Sequence, residues 1–490
     1  MDFLDPNKHR EHRRRLFISY FLVASVILMG SYLLFYQTKG FDVNRQTGKV
    51  IQNGLVYVST SPATAQIYLN GQQLSTTTNT KLTIPEGVYG VELRSQGYRT
   101  WKGSINLEGG SVERLTYPLL IPETLKTTDV QLYSSSPGLT TSSLDRRWLL
   151  VQQPGSTSIF DNYDLSSFET PPTTLTLAPE LLTSAGSDHT MTAIAWADDN
   201  RHILVRHDFA GGNEYVLLDR EKIDLSVNLS RLINLPGNLV VLRDRHFDQY
   251  YALDPATHKL QTYDLKAKTL RTLLDNVLSF KATGPDNVLY ITDNGLANGP
   301  LGLRIWDGKQ SSLMRTLAAG SEASIEISSY NGQAYAVLAS KTDGYVAIYA
   351  DPARTAKKLS DKAVLVPTTV LRLNGPGNPI FSDSGQFVYC QSGAKFAVYD
   401  IDEDRRHYFE LKDLPENRVV NWMDSYRLTY NVGDRLRVVD FDGNNQQDLT
   451  VNSPAYKPIF TPDFSTILDI APSIIVPGRP ALTATPLKLK

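Results

Sequence analysis

Residues 378–411 read NPIFSDSGQFVYCQSGAKFAVYDIDEDRRHYFEL. Short apolar runs alternate with turn signals at Ser382-Asp383-Ser384-Gly385, Ser392-Gly393 and Asp402-Glu403-Asp404-Arg405. Glycine supplies positive φ, and short polar side chains satisfy turn backbone, so such clusters punctuate strands. The stretch therefore predicts strand, turn, strand, turn, strand, turn, strand.

The same grammar recurs along residues 121–490. Leu144-Asp145-Arg146-Arg147 leads to WLLVQQ, and Asp198-Asp199-Asn200 leads to HILVRH and EYVLLDR. Pro236-Gly237-Asn238 leads to LVVLRD, Gly284-Pro285-Asp286-Asn287 to VLYIT, and Tyr330-Asn331-Gly332 to AYAVLA. Trp422-Met423-Asp424-Ser425 leads to RLTYN, and Phe460-Thr461-Pro462-Asp463 to TILDIA. A repeat of about 40 to 54 residues holding four short strands is the period of a β-propeller blade. The units resemble the WD-repeat-like propellers of TolB type, in which W-S-P-D-G opens a blade; Thr461-Pro462-Asp463 and Ser382-Asp383-Ser384-Gly385 come nearest to it. The last unit has no outer strand of its own, whereas Val130–Ser134 reads as an outer strand with no blade before it. Joining them predicts eight blades, sewn from both ends of the propeller. If the last unit adds to another blade, the count is seven.

Upstream lies a stretch of another kind. Leu16–Tyr36, LFISYFLVASVILMGSYLLFY, carries no charge. As a helix it covers roughly the ~30 Å hydrocarbon core of a bilayer. Lys8, Arg10, Arg13, Arg14 and Arg15 precede it, and the positive-inside bias then predicts a cytoplasmic tail at 1–15 with residues 37–490 outside. The bulky Leu33-Leu34-Phe35-Tyr36 is unlike a cleavage site, so the span at 16–36 reads as an uncleaved anchor in the bilayer. Residues 37–53, polar and glycine-containing, read as a stalk.

Between stalk and propeller, residues 54–120 predict a small β-sandwich. Gln66–Leu69 runs into Asn70-Gly71, a hairpin signal because both residues tolerate positive φ. Val88–Ser95 places Tyr89, Val91 and Leu93 on one face, and Trp101–Leu107 follows. The order of Ser61-Pro62, Asn70-Gly71, Pro85-Glu86-Gly87-Val88 and Gly97-Tyr98 resembles the PEGA domain, with Val88 in the motif's last place. The resemblance implies a surface-exposed module of a microbial envelope protein and no catalysis.

Composition narrows the function. The net charge of −2 over 490 residues argues against nucleic-acid binding by bulk electrostatics. The single Cys390 can form no intramolecular disulfide and reads as a buried small hydrophobe. No GxSxG, HExxH, Walker or dinucleotide motif occurs. Asp400, Asp402 and Asp404 have the first spacings of a calcium loop, but Arg405 and Leu411 stand where Gly and Glu belong, so a hairpin is expected. His202 and His207 lie five apart on one strand and point to opposite faces, which disfavours a shared metal. Trp101, Trp148, Trp196, Trp306 and Trp422 fall in or beside apolar strands and read as core. No catalytic, cofactor or metal site is expected. The chain reads as an all-β, non-catalytic, membrane-anchored scaffold or binding module for an envelope protein or wall carbohydrate. The alternatives are a propeller enzyme acting on glycans or peptides, its acidic and basic groups gathered at one mouth, and a subunit of a secretion or adhesion complex.

Overall fold

The computed structural model describes residues 6–38, 40–43, 50–184, 186–233, 239–296, 298–358, 364–415, 418 and 420–489. Contacts divide the chain into two units, Met1–Thr124 and Leu125–Lys490.

The first unit opens with the helix Pro6–Thr38. Among the described residues it is the one helix long and apolar enough to cross a membrane, over Arg13–Tyr36, a property that an N-terminal signal sequence shares. Two four-stranded sheets follow. In one, Val50–Val58 pairs antiparallel with Phe41–Val43 and Thr80–Pro85, and parallel with Val112–Leu115. The other runs in the order Gln72–Thr77, Gln66–Leu69, Gly87–Arg94, Trp101–Leu107. Val56, Val58, Ile67, Val91, Leu93 and Trp101 share the core between them, as period-two alternation requires. Asn70 and Gly71 have φ of 48° and 80°, the hairpin conformation that their sequence announced.

One expectation needs correction. The stretch 37–53 is not simply a stalk: Phe41–Val43 and residues 50–52 are antiparallel strand partners, and the Asn53 amide donates to the Gly40 carbonyl at 2.7 Å. The polar side chains of Gln52 and Asn53 masked a strand whose ladder is satisfied by a short partner. The intervening residues 44–49 lie outside the described residues, as does the turn signal Pro236-Gly237-Asn238.

The second unit contains eight four-stranded antiparallel sheets among the described residues, here blades 1 to 8. Blades 1 to 7 occupy 140–176, 190–228, 239–274, 277–317, 323–372, 380–410 and 421–451. Blade 8 consists of Ile459–Phe460, Thr466–Pro472, Pro480–Pro486 and, as its outer strand, Thr128–Leu132 from the other end of the unit. The second and third strands of each blade are apolar because both faces are covered. Leu150 and Phe160 of blade 1 cluster with Trp196 and Ile203 of blade 2, and Leu303 of blade 4 clusters with Ile327 and Leu338 of blade 5. Leu468 and Ile470 of blade 8 cluster with Leu149 and Tyr163 of blade 1, which brings the last blade against the first.

Candidate functional site: the channel mouth

Because every blade has four antiparallel strands, all inner strands run the same way. The turns joining inner to second strands therefore gather at one end of the propeller. Except in blade 3, where residues 243–248 form this turn, these are the turn signals that opened the repeats, and hydrogen bonds tie several of them together. Asn200 Oδ1 accepts from the Asp145 amide at 3.2 Å, joining blades 1 and 2. The Asp198 amide donates to the Arg245 carbonyl at 2.9 Å, joining 2 and 3. Arg243 Nε donates to the Pro285 carbonyl at 3.0 Å, joining 3 and 4. At Gly385 of blade 6, with φ of 77°, a Cβ would stand 2.3 Å from the Ser329 carbonyl oxygen of blade 5, so only glycine fits between these hairpins.

Arg146 is the focus. Its blade 1 turn holds it at φ of 58°. From there its guanidinium forms an ion pair with Asp383 of blade 6, donates to the Met423 carbonyl of blade 7 at 3.1 Å, and lies 4.2 Å from the Phe464 ring centroid of blade 8. One side chain thus joins four blades at one end of the propeller. Lys457 precedes the inner strand of blade 8 and keeps solvent access. Its ammonium pKa is lowered by burial and by Arg146, against an upward pull from Asp383. On the inner strands of blades 4 and 5, Lys281 Nζ meets Glu326 Oε2 at 2.6 Å.

Seven of the carboxylates in these turns divide into two sets. Those of the first set hold their own turns. Asp145 Oδ1 accepts from the Arg147 amide at 3.0 Å, Asp199 Oδ1 from the Arg201 amide at 2.9 Å, and Asp424 Oδ1 from the Tyr426 and Arg427 amides at 2.8 Å. Asp463 Oδ1 accepts from the Ser465 amide at 3.0 Å; burial raises its pKa, but Ser465, Thr461 and Lys488 outweigh this and bring it to about 2. The others pair between turns: Asp383 with Arg146, Asp286 with Arg243 at 3.4 Å, and Asp198 with His246 at 3.4 Å.

A general acid needs a raised carboxyl within reach of substrate. Asp400 is raised by burial, yet it is enclosed beneath its turn and accepts from Gln386 Nε2 at 3.1 Å and the Asp402 amide at 3.0 Å. Asp404 instead accepts from Tyr399 OH at 2.8 Å. The spacing 400, 402, 404 is thus a hairpin whose Asp400 and Asp404 carboxylates serve separate local partners.

The other singled-out residues lie apart. His202 Nδ1 and Asp199 Oδ2 are 2.6 Å apart, and the His202 ring stacks on Phe247 of blade 3 with centroids 4.2 Å apart. His207 is buried on the opposite face, with Nδ1 2.9 Å from Glu214 Oε1 and Nε2 3.0 Å from His189 Nδ1. Glu214 also accepts from the Thr183 amide at 2.6 Å and Asn228 Nδ2 at 2.7 Å, so this buried network staples blade 2 to the segment before it. Cys390, Trp101, Trp196 and Trp422 are buried; Trp148 is half-buried, with Arg220 over its ring at 3.9 Å.

Residues 53–121 match the family model described as the PEGA domain. No curated protein matches the chain. Among solved structures, the Dos1 propeller is 13% identical, with a TM-score of 0.45 and coverage of 75% of this chain and 96% of that one. The Cps50 (Swd1) β-propeller domain of Myceliophteria thermophila is 14% identical, with a TM-score of 0.39 and coverage of 66% and 99%. An oligogalacturonate lyase in complex with manganese is 12% identical, with a TM-score of 0.40 and coverage of 73% and 99%. The chain combines an N-terminal apolar helix, a PEGA domain at residues 53–121 and a β-propeller.

Proposed function

We propose that the protein is a membrane-anchored, non-catalytic binding module. Its N-terminus lies in the cytoplasm, its residues 37–490 lie outside, and the propeller mouth around Arg146 receives another envelope protein. The observation that supports this most is the state of the mouth's charged groups. Asp145, Asp199, Asp424 and Asp463 are spent on turn amides, and Asp383, Asp286 and Asp198 face cationic or imidazole partners on neighbouring blades. Such an arrangement fixes a charged relief in place, which suits recognition. Wall carbohydrate is the second candidate ligand.

The test is a cross-linked pull-down from solubilised membranes with the anchored protein. Arg146→Glu should lose a partner that the wild type and Arg479→Glu, at the opposite turns, both retain. Equal capture by all three would move the binding surface elsewhere. Turnover of a glycan or peptide by residues 37–490, abolished by Asp383→Asn or Asp286→Asn, would favour the enzyme reading instead.

A further inference from the structure

Blades 7 and 8 meet through an unusual pair of faces. In blade 8, Leu468 and Ile470 point to blade 1, so alternation sends Asp469 to blade 7. Thr483 lies directly across the ladder from Asp469 and shares its face. Thr485, on that same face, bonds Thr450 of blade 7 at 3.2 Å, which confirms the direction. In blade 7, Trp422 and its partner Leu428 point to blade 6, where Trp422 Nε1 donates to the Ile380 carbonyl at 3.2 Å. Thr429, Asn431 and Gln447 therefore point to blade 8. Asn452, in the connection between the two blades, is next to Ser453, whose amide donates to the Ile470 carbonyl at 3.0 Å.

Asp469 is 3% exposed and Asn452 0%. Neither Asp469 oxygen has a hydrogen-bond partner, and neither does Asn452 Oδ1 or Nδ2, Gln447 Oε1 or Asn431 Nδ2. Thr483 is also buried, and its hydroxyl donates to the Asp469 carbonyl at 3.2 Å, leaving oxygen lone pairs over. Buried polar groups are normally satisfied, and an uncompensated buried carboxylate is costly. The Asp469 and Asn452 oxygens thus lack a donor or a cation, while the amide nitrogens of Asn431 and Asn452 lack an acceptor.

We propose that the interface of blades 7 and 8 binds a monovalent alkali cation, held by the Asp469 carboxylate with Asn452 Oδ1 and Thr483 Oγ1 as the neutral oxygen donors. Oxygen-only donors select hard cations. One carboxylate neutralises one positive charge, whereas a divalent ion would leave a buried net charge. The cation joins the last complete blade to the one assembled from both ends of the unit, so it acts as a clamp on the propeller. This does not depend on what the mouth binds.

The experiment compares melting of the 37–490 protein at pH 8 in sodium, potassium, calcium and choline chlorides at matched ionic strength. Sodium or potassium should raise Tm by about 2 °C or more over choline. Asp469→Asn, which is isosteric, should melt alike in sodium, potassium and choline. Equal wild-type melting in all four salts, or a rise in calcium alone, would overturn the proposal. If the variant does not fold, wild-type crystals grown with thallium(I) in place of sodium decide the matter: an anomalous peak beside the Asp469 carboxylate supports the site, and its absence refutes it.

Discussion

Gly71 illustrates how far a single residue can be read. The Asn70-Gly71 pair announces its turn because few other residues accept φ of 48° and 80° in succession. A Cβ added at Gly71 meets nothing within 4 Å, so the cost of Gly71→Val is conformational and not steric crowding. It should lower the stability of the isolated fragment 50–122 by about 1–2 kcal/mol, measured by thermal melting; an unchanged Tm would contradict the tight turn. Asp307 is the opposite case, since its role is invisible in sequence. Burial pushes its carboxyl up, but Lys357 and the Gln310 and Lys309 amides outweigh burial and bring it to about 2. A carboxyl depressed on folding stabilises fully above its unfolded value near 4, and that contribution is lost as pH falls towards 2. Asp307→Asn should therefore cost up to about 2 kcal/mol at pH 7 and almost nothing near pH 2. Equal destabilisation at both pH values would show that packing, not charge, dominates there.

At the scale of elements, the strands were legible wherever turn residues demand unusual φ, as at Asn331-Gly332 and Gly385. They were less legible where partners are remote or polar. Val50–Asn53 was hidden by Gln52 and Asn53. The outer strand of blade 8 was visible as an unassigned run, and the structure places it at Thr128–Leu132, slightly earlier than the reading at Val130–Ser134. The mouth was beyond reach: Arg146 and Asp383 are 237 residues apart, and no local pattern links them. The staple of His189, His207 and Glu214 was missed for the same reason, since a lone histidine on an apolar strand carries no signal of its partners. The shared blade predicts that deleting residues 458–490 strips Thr128–Leu132 of its ladder partner and uncovers the apolar face of blade 1 around Leu149 and Tyr163. Unpaired edges template association, so the truncated 37–490 protein should aggregate on gel filtration. A truncation that stays monomeric with unchanged Tm would mean that the outer strand does not close the propeller.

At the scale of the whole molecule, the proposed place rests on the order of the parts. An uncharged span follows a basic tail, and a domain of PEGA type and a propeller follow the span. The account rests on the claim that these two β units lie outside the cytoplasmic membrane, where the mouth can meet an envelope partner. Proteolysis of intact cells, and of cells stripped to the cytoplasmic membrane, tests this most directly, with detection by an N-terminal tag. The account predicts that protease reduces the protein to a fragment of a few dozen residues, still protected from within by the membrane. A chain that stays full length until the cytoplasmic membrane itself is opened would contradict it.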